Sequence, residues 1–496
     1  MTDRISDAGG RGHGRAVAQE GVWRALREAC VTMLAAVATL LCALALDPQA
    51  ATGVLAVVLC LSLARSHLDS DLRGRIEAAI ALPAVGLAAV GAGLLLQRAP
   101  WLGALVFVTG MFMSIWLRRF GALAKRLGAL LALPLVALLV TPHAASAAGP
   151  IPAPLVPLLV GWLALAWVSV LHALARRLRV LAPATPASVG PMAGEAPARD
   201  GTLRPIASTR MAMQMAVALA LSFAVGYAFF AERWAWIVLT AFIVGSGNRG
   251  RLDVAHKSVL RVLGAAGGTA LALFVSAHAG AYAHAGAHGP ASVALILGAV
   301  FLGVWLRPLG YAWWALCITV ALALLQGFAG GPPASMLWLR LEEIVIGAAI
   351  GVASAWWVLP VDSGAALRRR LADALAALAE ALDPANPART AEHFIAALAA
   401  LDQMAPAFRA SRLVTRRFRP VQPADWIDAL LACGTPAVVL IDSGATPGPV
   451  RRAVGAARKA LRDPEAILPA LNDLAAALES TSPPRPAVRA EYVEKV

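Results

Sequence analysis

Charged residues are scarce in this sequence. Asp, Glu, Lys and Arg make up 15% of its 496 residues, whereas hydrophobic residues make up 59%, and the mean hydropathy is +0.69. A soluble domain of this length needs far more polar surface. The composition therefore excludes a soluble protein and indicates a polytopic membrane protein.

Several chemical signatures are also missing. No G-x-x-x-x-G-K-[ST] pattern occurs, so the sequence predicts no ATP hydrolysis at a P-loop. No nucleophile and base pattern indicates an enzyme, and the spacing of His278, His284 and His288 does not match a metal-binding pair. Four of the five cysteines lie in apolar runs, which implies no disulfide framework. We predict no catalytic site, no cofactor and no metal site.

The N-terminal segment is polar and rich in Gly and Arg for more than twenty residues. It lacks the short apolar region and the small-residue cleavage site of a signal peptide. We therefore expect no cleavage.

Apolar runs recur along residues 28–360, and about twelve of them approach the length of roughly 20 residues that a membrane-spanning helix needs. The runs at 50–64, 127–141 and 234–246 are short, so these segments extend into polar flanks, tilt little, or are broken or re-entrant. The predicted spans are 28–46, 50–64, 76–96, 100–117, 127–141, 153–174, 211–230, 234–246, 262–279, 291–306, 309–328 and 341–359.

The basic residues are distributed unequally between the two sides of the predicted membrane. Segments that stay in the cytoplasm up to Arg307 carry 23 Lys and Arg, whereas the opposite side carries only Arg98, Arg233 and Arg340. This positive-inside pattern predicts a bacterial inner-membrane protein with both termini in the cytoplasm. The net charge of +14 thus reflects topology and contact with the lipid bilayer, and we expect no nucleic-acid partner.

Changes in composition divide the chain into five parts. A Pro-, Ala- and Gly-rich linker separates two halves with six spans each, which would be parallel repeats. After Pro360 the sequence becomes Ala- and Leu-rich with apolar residues at helical spacing. The parts are a cytoplasmic N-terminal segment (1–27), a first six-span half (28–180), a cytoplasmic linker (181–207), a second six-span half (208–360) and a cytoplasmic helical domain (361–496).

The predicted fold class follows directly. We expect an all-α polytopic membrane protein with about twelve transmembrane helices in two six-helix repeats, followed by a C-terminal cytoplasmic helical domain.

The stretch R-L-E-E-I-V-I-G-A-A-I-G (340–351) places three charges at the head of an apolar run. Glu342 and Glu343 would suit the positive end of a helix dipole, so one interpretation is a capped helix entry. Glu343 also shares a helical stripe with Gly347 and Gly351, where a buried carboxylate would be a proton-coupling site. Glu342 and Glu77, the latter in the third span, are the other proton-coupling candidates.

Arg261 and Arg340 are candidate substrate-binding residues, because a guanidinium can hold a carboxylate through two hydrogen bonds. Arg261 could instead extend to the cytoplasmic interface as a topology anchor. Each Arg is followed seven residues later by a glycine, which fits either two inverted three-helix units or a chance match. Small residues also permit close helix packing, and the candidates for this role are Gly264, Gly268, Gly347 and Gly351.

Tryptophans occur in pairs near span ends and within one span. Trp234 and Trp236 favour an interfacial belt. Trp313 and Trp314 lie deeper, where they would either pack against other helices or stack on an aromatic substrate.

The order of several motifs resembles one membrane protein family. Arg210 is followed by W-A-W-I-V-L-T-A (234–241), K-S-V-L-R-V-L-G-A-A-G-G-T (257–269) and R-L-E-E-I-V-I-G-A-A-I-G (340–351). This set is similar to the fusaric acid resistance (FUSC) family, clearly over 208–360 and weakly over 22–175. The resemblance implies efflux of aromatic or other organic carboxylates, often with a periplasmic adaptor protein, and a distant similarity to plant aluminium-activated malate transporters.

Three functions remain open from the sequence. The first is an exporter of organic, above all aromatic, carboxylates driven by the proton-motive force. The second is a passive organic-anion channel, and the third is a membrane scaffold or sensor that does not transport. The partners to consider are the carboxylate, the bilayer, a periplasmic adaptor and a second copy of the chain.

Overall fold

The computed structural model describes residues 3–66, 72–120, 155–181, 207–231, 233–278, 290–328, 336–386, 390–418 and 420–481, with isolated positions between 121 and 140. Every regular element in these residues is a helix. The described chain divides into two units: the first ends at Pro360, and the second comprises Arg249–His256 and the chain from Val361 onward. The all-helical prediction is confirmed for the part of the chain that the structure describes.

The first half of the first unit contains five long described helices. Helix α1 packs against α2 and α5, and α3 packs against α4 and α5. Alanines such as Ala35, Ala36 and Ala164 are fully buried between them, which allows the helix axes to approach closely. The helices are α1 (Asp3–Leu46), α2 (Ala50–Ser66), α3 (Leu72–Arg98), α4 (Pro100–Trp116) and α5 (Val156–Arg177).

Six helices form the second half. Helix α6 packs against α4, α7 and α11, whereas α9 packs against α10 and α1, so both halves share one unit. A short 3₁₀ helix, Arg307–Leu309, turns the chain between α9 and α10. The helices are α6 (Ala207–Phe229), α7 (Trp234–Gly245), α8 (Arg251–His278), α9 (Pro290–Leu306), α10 (Tyr311–Phe328) and α11 (Met336–Trp357).

Seven described segments are long and apolar enough to cross a membrane, which confirms a membrane protein with several spans. One of them, Pro423–Asp442, is two short helices in the second unit. Helix α7 has 12 residues, about 18 Å of helix, which is shorter than a bilayer core. The predicted run at 127–141 lies mostly outside the described residues, and the count of twelve spans and the two-repeat layout stay predictions.

The second unit is a bundle of shorter amphipathic helices around a core of leucines. Its first helix begins at a cap, where the Asp362 carboxylate accepts a hydrogen bond from the Ala365 amide at 2.9 Å. Leu367, Leu371 and Leu378 are fully buried. The helices are α12 (Ser363–Ala381), α13 (Glu392–Asp402), α14 (Ala405–Thr415), α15 (Pro423–Ala432), α16 (Gly434–Asp442), α17 (Gly448–Ala460) and α18 (Pro464–Thr481).

The beginning of α8 belongs to this second unit. The Leu252 amide donates to the Ser363 hydroxyl at 3.0 Å, and Gly250 adopts a φ of +130° against Ser363, a conformation that favours glycine. The residues of α8 up to His256 are therefore counted with the second unit, and those from Lys257 with the first.

Candidate functional site

Helix α11 brings its charged residues into the protein interior within two turns of its start. Arg340 is 3% exposed and Glu343 is fully buried, whereas Glu342 is exposed. Because residues three and four apart lie on one face of a helix, Arg340, Glu343 and Gly347 form a single stripe. The two neighbouring glutamates thus have different environments, and Glu343 is the one enclosed by protein.

Glu343 pairs with an arginine from the helix beside it. Arg233, which precedes α7, places its Nε 3.1 Å from Glu343 Oε1, and its side chain is about one-third exposed. The contact is an ion pair without hydrogen-bond geometry, since neither carboxylate oxygen accepts a hydrogen bond from the residues that the structure describes. The carboxylate is therefore held mainly by charge.

Arg340 lies on the ring of a tryptophan from α7. Its guanidinium carbon is 3.8 Å from the ring centroid of Trp236, a cation–π distance at which the attraction is stronger away from water. Glu343 and Arg261 are also electrostatic neighbours of Arg340. We call Arg233, Trp236, Arg340 and Glu343 the Arg340–Glu343 cluster.

Arg261 lies in α8 and is completely enclosed. None of its side chain is exposed, and none of its three guanidinium nitrogens has a hydrogen-bond partner among the described residues. Tyr311, at the start of α10, is its electrostatic neighbour, and the Tyr311 hydroxyl is likewise buried without a hydrogen bond there. An uncompensated buried charge costs several kcal/mol. Full burial does not fit a residue that extends to the membrane interface.

Close helix contacts hold these residues in place. A Cβ added to Gly347 would lie 2.5 Å from the Ile237 carbonyl oxygen on α7, and one on Gly351 would lie 3.2 Å from Val244. Helices α8 and α10 make a similar contact. A Cβ added to Gly264 would lie 2.8 Å from the Ala312 carbonyl oxygen, and a Cβ added to Gly268 would lie 2.7 Å from the Leu316 carbonyl oxygen. All four predicted packing glycines thus lie at helix contacts, α11 on α7 and α8 on α10, and all but Gly351 directly face backbone.

The two contacts have matching partners. Gly268 approaches the carbonyl of Leu316 and the Cβ of Thr319, whereas Gly347 approaches the carbonyl of Ile237 and the Cβ of Thr240. These equivalent residues are each separated by 79 positions, as are the two buried arginines, Arg261 and Arg340. In each packed helix pair, a glycine later in one helix contacts a residue later in the other helix. The two helices of each pair therefore run parallel.

Side chains from α6 and α8 donate hydrogen bonds to backbone carbonyls at the C-terminal ends of α11 and α7. Arg210 and Gln214 of α6 donate to the Leu359 carbonyl at 3.1 and 3.2 Å, and Gln214 also donates to that of Val358. Lys257 of α8 donates to the carbonyls of Ser246 and Gly247. Cations at a helix C-terminus stabilise it, so Arg210 positions α11.

The remaining predicted residues are separated from one another. Trp313 is 51% exposed on the outside of α10, whereas Trp314 is half-buried, with its ring 5.6 Å from that of Tyr311. Only Trp314 therefore lies beside a buried arginine site. Glu77 is half-buried in α3, a helix that packs against α4 and α5.

Sequence reasoning missed three residues of the site. Arg233 is one of only three basic residues predicted on the outer side, which was a usable signal. Trp236 was assigned to an interfacial belt, and its contact with Arg340 depends on the packing of two helices. Tyr311 was overlooked, although a tyrosine at the head of an apolar run is a hydrogen-bond donor beside the membrane core.

The described site is rich in positive charge. Arg233 and Arg340 are charge neighbours of the buried Glu343, and Arg261 is a charge neighbour of Arg340, while Glu342 is exposed. Opposite charges attract strongly in a medium of low dielectric constant. The arrangement can therefore accept an additional anion.

The fold and site define a multi-helix membrane protein with a buried cationic site in its second half. Residues 215–354 match the family model described as fusaric acid resistance protein-like, a range that contains the whole Arg340–Glu343 cluster, Arg261 and Tyr311. This match confirms the family resemblance over these residues. No curated protein and no solved structure matches the chain.

Proposed function

We propose that the chain exports organic carboxylates, above all aromatic ones, from the cytoplasm across the bacterial inner membrane. The observation that supports this proposal best is an excess of arginine: Arg233 and Arg340 are charge neighbours of the buried Glu343, and the fully buried Arg261 is a charge neighbour of Arg340. A guanidinium binds a carboxylate through two parallel hydrogen bonds. Trp236 covers one face of the Arg340 guanidinium, and a planar guanidinium stacks well on aromatic rings, which favours an aromatic carboxylate.

Glu343 supplies a means of coupling to the proton-motive force. While the site faces the cytoplasm, ionised Glu343 pairs with Arg233 and the substrate carboxylate binds Arg340, and the loaded site then opens to the outer side. After the substrate has left, Glu343 takes up a proton there, the empty protonated site turns back, and the proton leaves to the cytoplasm. One proton then moves inward for each carboxylate that leaves, and no nucleotide is hydrolysed.

The orientation that this cycle needs places both termini in the cytoplasm. The 23-to-3 asymmetry of basic residues supports it. Reporter fusions at Gly201, His284 and Val496 test it, with cytoplasmic signals expected at the first and last and a periplasmic signal at the second. A periplasmic signal at Val496 would refute this orientation.

The transport experiment uses inside-out vesicles with an acidic interior and radiolabelled benzoate. A weak acid distributes passively toward the alkaline side, so accumulation in the acidic interior runs against passive permeation. We expect wild-type vesicles to accumulate benzoate and to lose it when the pH gradient is collapsed. Vesicles without the protein are the control.

The competing functions predict other results. A passive channel would carry a steady benzoate current and never exceed equilibrium, and the excess of positive charge at the site would suit it as well. A scaffold would give neither flux nor current. Because the family resemblance implies a periplasmic adaptor, the experiment is repeated with such a partner supplied, and the oligomeric state is measured alongside. We assign no enzymatic reaction to the chain.

A further inference from the structure

Arg261 is the largest fully buried side chain among the described residues. Its Nε and both terminal nitrogens have no hydrogen-bond partner there, and neither has the buried hydroxyl of Tyr311 beside it. Five N–H donors and one O–H donor in this part of the interior therefore have no acceptor among the described residues. A buried charge is retained in a fold when something compensates it, and here the missing component is an anion.

Comparison with the matching helix pair shows why the protein does not supply that anion itself. Around Arg340 the carboxylate comes from Glu343, three residues further along α11. The residue three positions after Arg261 is Gly264, which is 79 positions before Glu343. A Cβ on Gly264 would lie 2.7 Å from Ala315 Cβ and 2.8 Å from the Ala312 carbonyl oxygen. No glutamate fits at this position, so α8 does not supply a carboxylate as α11 does, and the described residues leave room for an acceptor from a ligand.

We propose that Arg261 and Tyr311 form a binding site for one carboxylate group of the transported anion, distinct from the Arg340–Glu343 cluster. The choice of a carboxylate rests on the proposed export function. The Arg261 guanidinium would donate two parallel hydrogen bonds, and the Tyr311 hydroxyl a third. The Trp314 ring, 5.6 Å from that of Tyr311, offers an apolar surface to a flat substituent.

The site also explains why two buried arginines lie near each other. Arg261 and Arg340 repel one another while no anion is present, since each is an electrostatic neighbour of the other. A carboxylate on Arg261 removes this repulsion. It can then pass to Arg340 while Glu343 stays paired with Arg233, without leaving a cationic environment.

The first test is the stability of the ligand-free full-length protein in lipid nanodiscs. Arg261→Met removes an uncompensated buried charge, so we expect a thermal unfolding midpoint raised by about 2–4 °C. Arg340→Met is the matched variant: it leaves Glu343 with one positive neighbour fewer and deletes the contact with Trp236, so it should lower the midpoint. A lower midpoint for Arg261→Met would mean that the protein already compensates Arg261 and would overturn the proposal.

The second test measures equilibrium binding of benzoate, with the uncharged amide benzamide as its isostere. Wild type should bind benzoate and not benzamide. Arg261→Gln should weaken benzoate binding at least tenfold, and Tyr311→Phe should weaken it severalfold. Arg307→Gln is the control, because Arg307 is also a neighbour of Tyr311 but is exposed, and it should change binding less than twofold.

Binding and transport separate the two proposals. Loss of benzoate binding in Arg261→Gln supports the site even if wild-type vesicles never accumulate benzoate, in which case export fails alone. Unchanged binding in Arg261→Gln with normal export by wild type overturns the site and leaves export standing. Absence of benzoate binding to wild type at millimolar concentration, or equal binding of benzamide, also overturns it.

Discussion

The two units each contain an arginine cluster. The clusters differ in how far their side chains are exposed to water and in the balance of positive and negative charge. In the second unit Arg409 and Arg412 meet Asp425 and Asp428, with Arg412 2.6 Å from Asp425 and Arg409 2.7 Å from Asp428. Two cations face two anions, and every side chain is 32–44% exposed. In the first unit Arg233 and Arg340 lie near the buried Glu343, and the buried Arg261 adds a third positive charge beside Arg340.

Water can compensate the charges of the exposed cluster, but it cannot compensate those of the buried one. The hydrogen bonds that Arg412 donates to Asp425 and Asp428 raise its pKa further, and solvent screens what remains. At Arg261 the surrounding protein supplies no acceptor among the described residues, and the positive charge exceeds the negative. Unbalanced charge in a buried site is costly, which makes it a sign of function rather than of stability.

The largest expected effect concerns how the buried cluster is assembled. Gly347→Leu would place a side chain into the backbone of α7, where the Ile237 carbonyl oxygen lies 2.5 Å from the Cβ position. Such overpacking at a rigid contact should cost about 3 kcal/mol or more, and we expect little folded protein in the membrane. Gly298→Leu is the control, because a Cβ there meets nothing within 4 Å. Equal yields of the two variants would contradict the close contact between α7 and α11.

The next effect in size concerns the anion site itself. Arg340→Ala should reduce benzoate accumulation in inside-out vesicles to that of empty vesicles, while the protein still inserts. Arg340→Lys should restore only part of it, since an ammonium cannot form the paired hydrogen bonds or stack on Trp236 as a planar group does. Arg412→Ala, in the solvated cluster, should leave accumulation intact. Normal accumulation in Arg340→Ala would exclude a role of this residue in substrate binding and leave it only an anchoring role.

A smaller, more selective effect is expected at Glu343. Glu343→Gln keeps the shape of the side chain but cannot carry a proton between the two sides. The variant should still bind benzoate and let it equilibrate, yet fail to accumulate it against its gradient. Glu342→Gln should have the lesser effect because Glu342 is exposed. If the ranking is reversed, proton coupling belongs to Glu342.

Much of the fold was accessible from sequence because it depends on local properties. Apolar runs predicted helices at 100–117 and 234–246, and the structure has helices at Pro100–Trp116 and Trp234–Gly245. Polar flanks were less well placed: the run at 262–279 is the later part of a helix that begins at Arg251. Hydropathy alone does not register the amphipathic turns with which that helix begins before the apolar run.

The candidate site was only partly accessible for a different reason. The spacing of Glu343 and Gly347 on one helix showed that the carboxylate shares the close-packed face, because it follows from the helical period. The helical period does not show which other helix covers that face. Trp236 lies about a hundred residues before Arg340 in the sequence, and their contact depends on α11 packing parallel to α7. The same holds for Arg261 and Tyr311 across α8 and α10.

The smallest expected effect concerns the solvated cluster of the second unit, whose exposed ion pairs should contribute little to stability. Arg412→Ala removes two short ion pairs, but they are about one-third exposed, so the loss should be about 1 kcal/mol or less. Hydrogen exchange of α14 and α15 in the full chain measures it as a modest loss of protection. Because salt screens exposed pairs, the difference from wild type should shrink further in 1 M NaCl, where the Debye length is about 3 Å. A loss of several kcal/mol that persists in high salt would mean that this cluster is as dependent on its charges as the buried one, and burial would then not be what separates them.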